Sequence, residues 1–395
     1  MLTNISVQLL NMTKLIVIAP LAPESIELDE NGSTVLSAEE KEADEQDRFN
    51  HPRIRRTLIL KAIEAKGGSD VSFVTVSEPC EVDLSKVYSH IHSNGLLTFL
   101  TTAWKTWEDY GEDGREPGAS LGSSTSTIPP LVPLNIPLPR EAHERPSKSV
   151  IGQIGYYCTD LCTPVFGSLL KELQIDNLIV HQAVESAIEE RTVVYAMPTH
   201  PGHHAAYDSF GGYCYLNQVA YAARLLQDRV GPKVAVLDVD YHAGNGTAAI
   251  FYDDPNVLVV SIHCDPDYDY PFHSGFSDQT GSGEGIGATL HLPLPPKTSW
   301  DSYEKALQLA LDRIREFGAL ATVVSLGLDT HDGDPCTIRR AGFCLSGEDY
   351  THMGRSIASG LSDGPVIFVQ EGGYRMDEIG NAASNVVLGY ALSKE

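Results

Sequence analysis

Short runs of apolar, mostly β-branched residues alternate along this chain with longer stretches in which apolar positions return every three or four residues, a pattern that predicts strands followed by helices. Residues 14–18, 192–197, 233–240, 257–262, 321–326 and 365–370 read as strands. Residues 217–228, 300–317, 346–358 and 377–392 read as helices, the third opened by Ser346 as N-cap. Strands that are apolar along their whole length are those buried on both faces. The predicted fold class is therefore α/β: a single domain with a mainly parallel central sheet and helices on both faces. Two stretches interrupt the rhythm. Residues 28–46 are acidic with few large apolar side chains, and 111–149 are rich in Gly, Ser, Thr and Pro. Both read as loop insertions in a domain spanning residues 14–393. Met12 directly precedes the first strand, so a start at Met1 or at Met12 leaves the fold whole.

With 395 residues, 42% of them apolar, the chain can bury a large core. Its 53 acidic and 28 basic residues give a formal charge of −25, which argues against gripping nucleic acid and favours cationic substrates. No apolar run approaches the roughly 18 residues that span a bilayer, and no basic segment followed by an apolar core opens the chain. The expectation is a soluble cytoplasmic protein without a membrane partner, the nucleus left open. Seven cysteines, an odd number with one Cys-x3-Cys pair, read as reduced thiols.

In open α/β sheets ligands bind beyond the carboxyl ends of the strands, so the residues there carry the chemistry. Here five predicted strands run into Pro198-Thr-His-Pro-Gly-His-His204, Asp238-Val-Asp-Tyr-His242, His263-Cys-Asp265, Gly327-Leu-Asp-Thr-His331 and Glu371-Gly-Gly-Tyr374. Asp238, Asp240 and His242 stand two apart, and a strand continued through them would point all three the same way. Two of them plus Asp329 make a three-ligand set with a position left for water, the pattern of a catalytic zinc. A lone strand-end Asp is usually a helix cap. Two at the end of a Val, Leu and Ala strand are costly to bury without a compensating cation. His203 and His204 suit proton transfer, with Asp238 and Asn245 as candidate orienting partners, one charged and one neutral. Gly372-Gly373 would let Tyr374 reach a developing oxyanion. Gly212, Tyr213 and Tyr270 could line a narrow tube for an aliphatic chain.

Together, Pro201-Gly-His-His-Ala205, Gly212-Tyr-Cys214, the segment from Leu237 to Thr247, Gly327-Leu-Asp-Thr330 and Glu371-Gly-Gly-Tyr374 resemble the histone deacetylase superfamily. Ile151-Gly-Gln-Ile-Gly-Tyr-Tyr-Cys158 and Ser261-Ile-His-Cys-Asp-Pro266 resemble its acetylpolyamine amidohydrolase and class II-like branch. The resemblance implies an arginase/deacetylase-type fold and a deacetylase that hydrolyses acetylated amines such as acetylpolyamines. It implies one zinc per chain on Asp240, His242 and Asp329, His203 and His204 as base and acid, and Tyr374 polarising the carbonyl. It also implies a structural K+ near Asp238, Asp240, His242, Ser261 and Ile262, and, by analogy, a homodimer. The chain departs from the family pattern at Ala243, where a second histidine is usual. Ile151 and Cys162 stand where polyamine-specific members can carry carboxylates, and Asp269 stands beside Tyr270 where an aromatic pair is common. Asp160 is the nearby carboxylate that could take a substrate cation. An acetyl-lysine protein deacetylase, a catalytically silent acyl-amine-binding scaffold and a manganese ureohydrolase are the alternatives.

Overall fold

The apolar runs assemble into one parallel sheet because each can bury both of its faces. The computed structural model describes residues 14–21, 23, 52–77, 82–112, 130–136, 144–338 and 341–394. The strands are β1 Leu15–Ala19, β2 Val71–Thr75, β3 Val193–Ala196, β4 Val234–Asp238, β5 Val257–Cys264, β6 Thr289–Leu294, β7 Ala321–Leu326 and β8 Val366–Gln370. Their order across the sheet is β2-β1-β3-β8-β7-β4-β5-β6, every neighbouring pair parallel. The helices are α1 Pro52–Gly67, α2 Leu84–Val87, α3 Asn94–Glu112, α4 Val150–Tyr157, α5 Leu169–Glu189, α6 Gln218–Arg229, α7 Asn245–Ile250, α8 Trp300–Phe317, α9 Gly347–Gly360 and α10 Ile379–Ala391.

Alternate residues of each strand feed opposite cores. Val234, Val236, Val259, Val323 and Ile367 pack with α3, α4, α5 and α6. Ala235, Leu237, Val260, Val324 and Phe368 pack with α1, α8, α9 and α10. Each fully buried Val, Leu, Ile or Phe contributes about 1.5–3 kcal/mol, so the central strands hold the sheet rigidly beneath their carboxyl ends. The Ser346 cap agrees with the sequence reading, whereas Asn217, read there as helical, is an N-cap. Asn217 accepts from Ala220 N at 2.8 Å to start α6, and Asp349 accepts from Ser346 N at 2.7 Å at the start of α9. No helix among the described residues is long and apolar enough to cross a membrane.

Two strand predictions need correction. β4 stops at Asp238 instead of continuing through Asp240. Asp238 accepts from Asp240 N at 3.1 Å and Asp240 accepts from His242 N at 2.9 Å, so each carboxylate takes the N–H that a ladder would use and the chain turns. β5 instead runs two residues beyond Ile262, paired with β6 through Cys264. The predicted insertion at 111–149 meets α3, which occupies its first two residues, and Leu131, which pairs antiparallel with Val165. Its segments 113–129 and 137–143, and the predicted insertion at 28–46, lie outside the described residues.

Candidate active site

Four neighbouring strands, β3, β8, β7 and β4, deliver polar residues to one pocket of about 280 Å³ at their carboxyl ends. β3 leads to His203 and His204, β4 to Asp240 and His242, β7 to Asp329 and β8 to Tyr374, while the segment after β5 adds Asp269, Tyr270 and Phe272. The end of β5 itself stays outside the pocket: the His263 ring bonds Ser261 Oγ and Gly275 O, both at 2.8 Å. His331 likewise turns away, to Asp332 O at 3.0 Å. A larger cleft of about 800 Å³ opens beside Lys14, Arg191, Arg229 and Lys394. It lies at the amino ends of the strands, and two of its cations pair locally, Arg229 with Glu185 and Lys394 with Asp363.

Asp240, His242 and Asp329 are buried, and one ligand atom from each lies within 4.8 Å of the others. His242 Nδ1 is 3.3 Å from Asp240 Oδ1 and 3.0 Å from Asp329 Oδ2. Ligand atoms about 2.0–2.2 Å from a tetrahedral ion stand roughly 3.3–3.6 Å apart, a spacing that the Asp240–His242 pair meets and the His242–Asp329 pair falls just short of, so the set could hold zinc with a small outward shift. Backbone fixes the remaining carboxylate oxygens: Tyr241 N donates to Asp329 Oδ1 and Gly372 N to Asp240 Oδ2, each at 2.9 Å. Burial, then the Asp240 charge, pushes the Asp329 carboxyl up to about 7. That is the strain a bound cation relieves.

The two adjacent imidazoles, ring centroids 3.9 Å apart, have unlike partners. His203 Nδ1 is 3.0 Å from Asp238 Oδ2, and its Nε2 is 3.8 Å from Asp240 Oδ1. His204 Nδ1 is 2.7 Å from Asn245 Oδ1. Burial opposes charge on His203, but Asp240 and Asp238 outweigh it and raise the imidazole to about 10. Burial, then the His203 and His242 charges, push His204 well below its ordinary value. The carboxylates thus favour charge on His203, while burial and its cationic neighbours disfavour charge on His204.

The Tyr374 ring, 8% exposed, sits edge-on to Tyr213 with centroids 5.7 Å apart and lies under the Arg55 guanidinium at 4.6 Å. Tyr270 packs edge-on to His204 at 4.8 Å. Gly212 has φ +58°, and a Cβ there would come within 2.4 Å of His204 Cδ2, so only glycine fits between dyad and wall. Asp160 reaches the pocket, but its carboxylate accepts from Gly212 N, Cys162 N (2.7 Å) and Thr163 Oγ1 (3.0 Å). Asp238 lies opposite Ser261 in the β4–β5 register, with Ile262 next along β5.

Residues 49–390 match the profile of the histone deacetylase domain. The chain belongs to the histone deacetylase family. It is 34% identical to acetylpolyamine amidohydrolase 2 of Pseudomonas aeruginosa over 85% of this chain and 90% of that one. It is 36% identical to the acetylpolyamine amidohydrolase of Mycoplana ramosa over 85% and 91%. Among solved structures, an acetylpolyamine aminohydrolase from Burkholderia pseudomallei superposes with a TM-score of 0.73 at 27% identity, covering 96% of this chain and 99% of that one.

Several polar residues of this histone deacetylase domain escaped the sequence reading. Asp334 accepts from Tyr374 N at 2.7 Å and Arg375 N at 3.0 Å, fixing the backbone that bears the phenol. Asp176 accepts from Thr199 N and His200 N, and Glu172 binds Arg53 and His200, bracing the loop before the dyad. Glu371, seen only as the first letter of a motif, lies buried against the dyad backbone. Their partners are remote in sequence, and no local pattern announces them.

Proposed function

We propose that this chain is a zinc-dependent deacetylase that hydrolyses the acetamide bond of acetylated amines such as acetylpolyamines, releasing acetate and free amine. The observation that carries this reading is a buried Asp, His, Asp donor set beside two adjacent histidines, one bonded to a carboxylate and the other to a neutral amide oxygen. Zinc on Asp240, His242 and Asp329 would act as a Lewis acid and lower the pKa of water toward about 7. The side chains do the rest. Asn245 Oδ1 accepts from His204 Nδ1–H, which leaves a lone pair on Nε2. His204 takes the proton of the attacking water there and returns it to the leaving nitrogen. His203, its charged form favoured by Asp238, stabilises the negative charge that develops beside it, and Tyr374 donates its hydroxyl proton as a hydrogen bond to the former carbonyl oxygen. Gly212, Tyr213 and Tyr270 confine the aliphatic arm. A structural K+ at Asp238, Asp240, His242, Ser261 and Ile262, a cytoplasmic location and a homodimer complete the proposal, the dimer checked by sedimentation.

The test is protein purified without added metal, analysed for zinc and incubated in parallel with acetylputrescine, acetylspermidine and an acetyl-lysine peptide. About one zinc per chain and turnover of the small amines are expected. Zinc-loaded protein that turns over none of the three would overturn the enzyme reading in favour of a binding scaffold. Turnover of the peptide alone would move the substrate to protein lysine.

A further inference from the structure

We infer that Glu371 is a positioning residue for the histidine dyad, acting by hydrogen-bond geometry and not by its charge. Its side chain is 1% exposed. One oxygen, Oε2, accepts from Gly202 N at 2.6 Å and from His203 N at 3.2 Å, while Oε1 accepts from Ser325 Oγ at 3.2 Å. The carboxylate thus ties the ends of β8 and β7 to the loop that carries both imidazoles.

That loop needs such a tie. Residues 197–206 belong to no helix or strand, and an imidazole working in a reaction must be held within about 0.5 Å. Asp176 pins Thr199 and His200, upstream of the dyad. Thr247 N donates to His203 O at 3.1 Å, downstream of the first ring. Between them, Glu371 is the group that meets the N–H of His203 itself. Its own backbone is fixed in turn: Glu371 N donates to Leu326 O at 2.9 Å, and its carbonyl accepts from Arg55 and from Gln370 Nε2. Arg55 also covers the Tyr374 ring. One residue therefore joins the two halves of the site, dyad and phenol, by a bond from Glu371 to Gly202, 169 positions away in the chain.

Both acceptor contacts to the loop fall on the same oxygen. A glutamine can place its carbonyl oxygen there and turn its amide toward Ser325 Oγ, which can accept. An alanine leaves two buried N–H groups unpaired, and an aspartate is one methylene too short to reach them.

This inference rests on the proposed role of the dyad, and the experiment separates the two. Glu371→Gln, Glu371→Ala and Glu371→Asp are purified with wild type. For each, zinc content, thermal midpoint, kcat and KM on acetylputrescine, and the NMR signals of the histidine ring N–H groups are measured, with and without metal. We expect Glu371→Gln to keep kcat within about tenfold of wild type with the His203 ring signal unmoved. Glu371→Asp and Glu371→Ala should lose about 100-fold or more in kcat per zinc, with KM within about threefold and the ring signal displaced. Equal loss in the glutamine and aspartate variants would overturn the inference by making the charge decisive. So would a loss in both Ala and Asp that follows only the folded or metal-loaded fraction. Should the alanine variant not fold, the glutamine and aspartate comparison decides alone. Should wild type hydrolyse no acetylated amine, the proposed function fails, and the ring signals of the same proteins still decide whether Glu371 positions His203.

Discussion

Replacing Gly212 by alanine tests whether the histidine dyad works by exact placement. The added Cβ would stand 2.4 Å from His204 Cδ2, 3.0 Å from His204 Cγ and 3.2 Å from Tyr270 Oη. An ordinary carbon–carbon contact needs about 3.5 Å, so the imidazole must move by roughly 1 Å. It has little freedom to do so, hydrogen-bonded to Asn245 at 2.7 Å and flanked by His203 at 3.9 Å and Tyr270 at 4.8 Å. A displacement of that size at a reacting group costs about 100-fold in rate, or about 2.7 kcal/mol of transition-state stabilisation. The backbone adds a separate cost: φ is +58°, where a residue with a Cβ loses roughly 1–2 kcal/mol of stability. Gly212→Ala should therefore lower kcat on acetylputrescine by about two orders of magnitude. Its melting temperature should fall only a few degrees, and its zinc content should stay at the wild-type value because no donor is touched. Initial rates, elemental analysis and a thermal scan on one preparation measure all three. A kcat within threefold of wild type at equal zinc content would refute the reasoning, since the ring would then have moved without consequence.

Tyr374→Phe should keep zinc and substrate affinity and lose roughly two or more orders of magnitude in kcat; a fall in zinc content instead would make the phenol structural. Glu172 gives a pH dependence: burial pushes its carboxyl up, but His200, Arg53 and Ser168 outweigh burial and hold it below its ordinary value. Its stabilisation is thus present above about pH 4.3 and fades as pH falls through the lowered value, so Glu172→Gln should cost roughly 3–5 kcal/mol at pH 7 and converge on wild type in denaturant titrations only as pH falls through that lowered value. Asp160→Asn should leave the ratio of kcat/KM for acetylputrescine over a neutral N-acetyl amine of equal length within about threefold, because that carboxylate serves the loop; a collapse of the ratio would restore Asp160 as a cation anchor.

What could be read in the sequence follows from where each signal lies. The central strands are apolar on both faces, so β3, β4, β5, β7 and β8 stood out as continuous runs. β2 and β6 are edge strands with partly exposed positions, and their patterns dissolve into the flanking loops. α8 is legible end to end because one face alone is buried, whereas α5 carries Glu172, Asp176 and Asn177 among its buried residues, which breaks the apolar stripe. The donor set and dyad are legible because a parallel sheet sends each strand end into a short contiguous motif. The supports are not. Glu371 lies 169 residues from Gly202, and Glu172 lies 119 from Arg53. Asp160 shows how little proximity to a motif says about a side chain's partners: it lines the pocket, and its carboxylate also accepts from Gly212 N, Cys162 N and Thr163 Oγ1.

Net charge and local recognition give different answers about the substrate, and the structure separates them. A formal charge of −25 attracts any cation, but such a field is screened over about 8–10 Å and acts on encounter, not on discrimination. Discrimination needs a carboxylate with an unengaged lone pair at a fixed distance from the scissile bond. Among the described residues lining the pocket, the carboxylates outside the donor set are Asp160 and Asp269. Asp160 accepts three hydrogen bonds from its own surroundings, and Asp269 accepts from Tyr241 Oη (2.9 Å), Ile338 N (2.8 Å) and Tyr270 N (2.8 Å). The exposed side chains at the pocket include Phe272 and Ile338, which favour the methylenes of a substrate over its charge. Each carboxylate thus has one acceptor site left, on Oδ1, and is already held by its own loop, so a substrate ammonium is expected to gain little there. Under the proposed function, selection among acetylated amines is expected to rest on the fit of the aliphatic arm between Gly212, Tyr213 and Tyr270, which line the pocket, at about 1–3 kcal/mol per misplaced methylene, and added salt should lower the rate of capture alone.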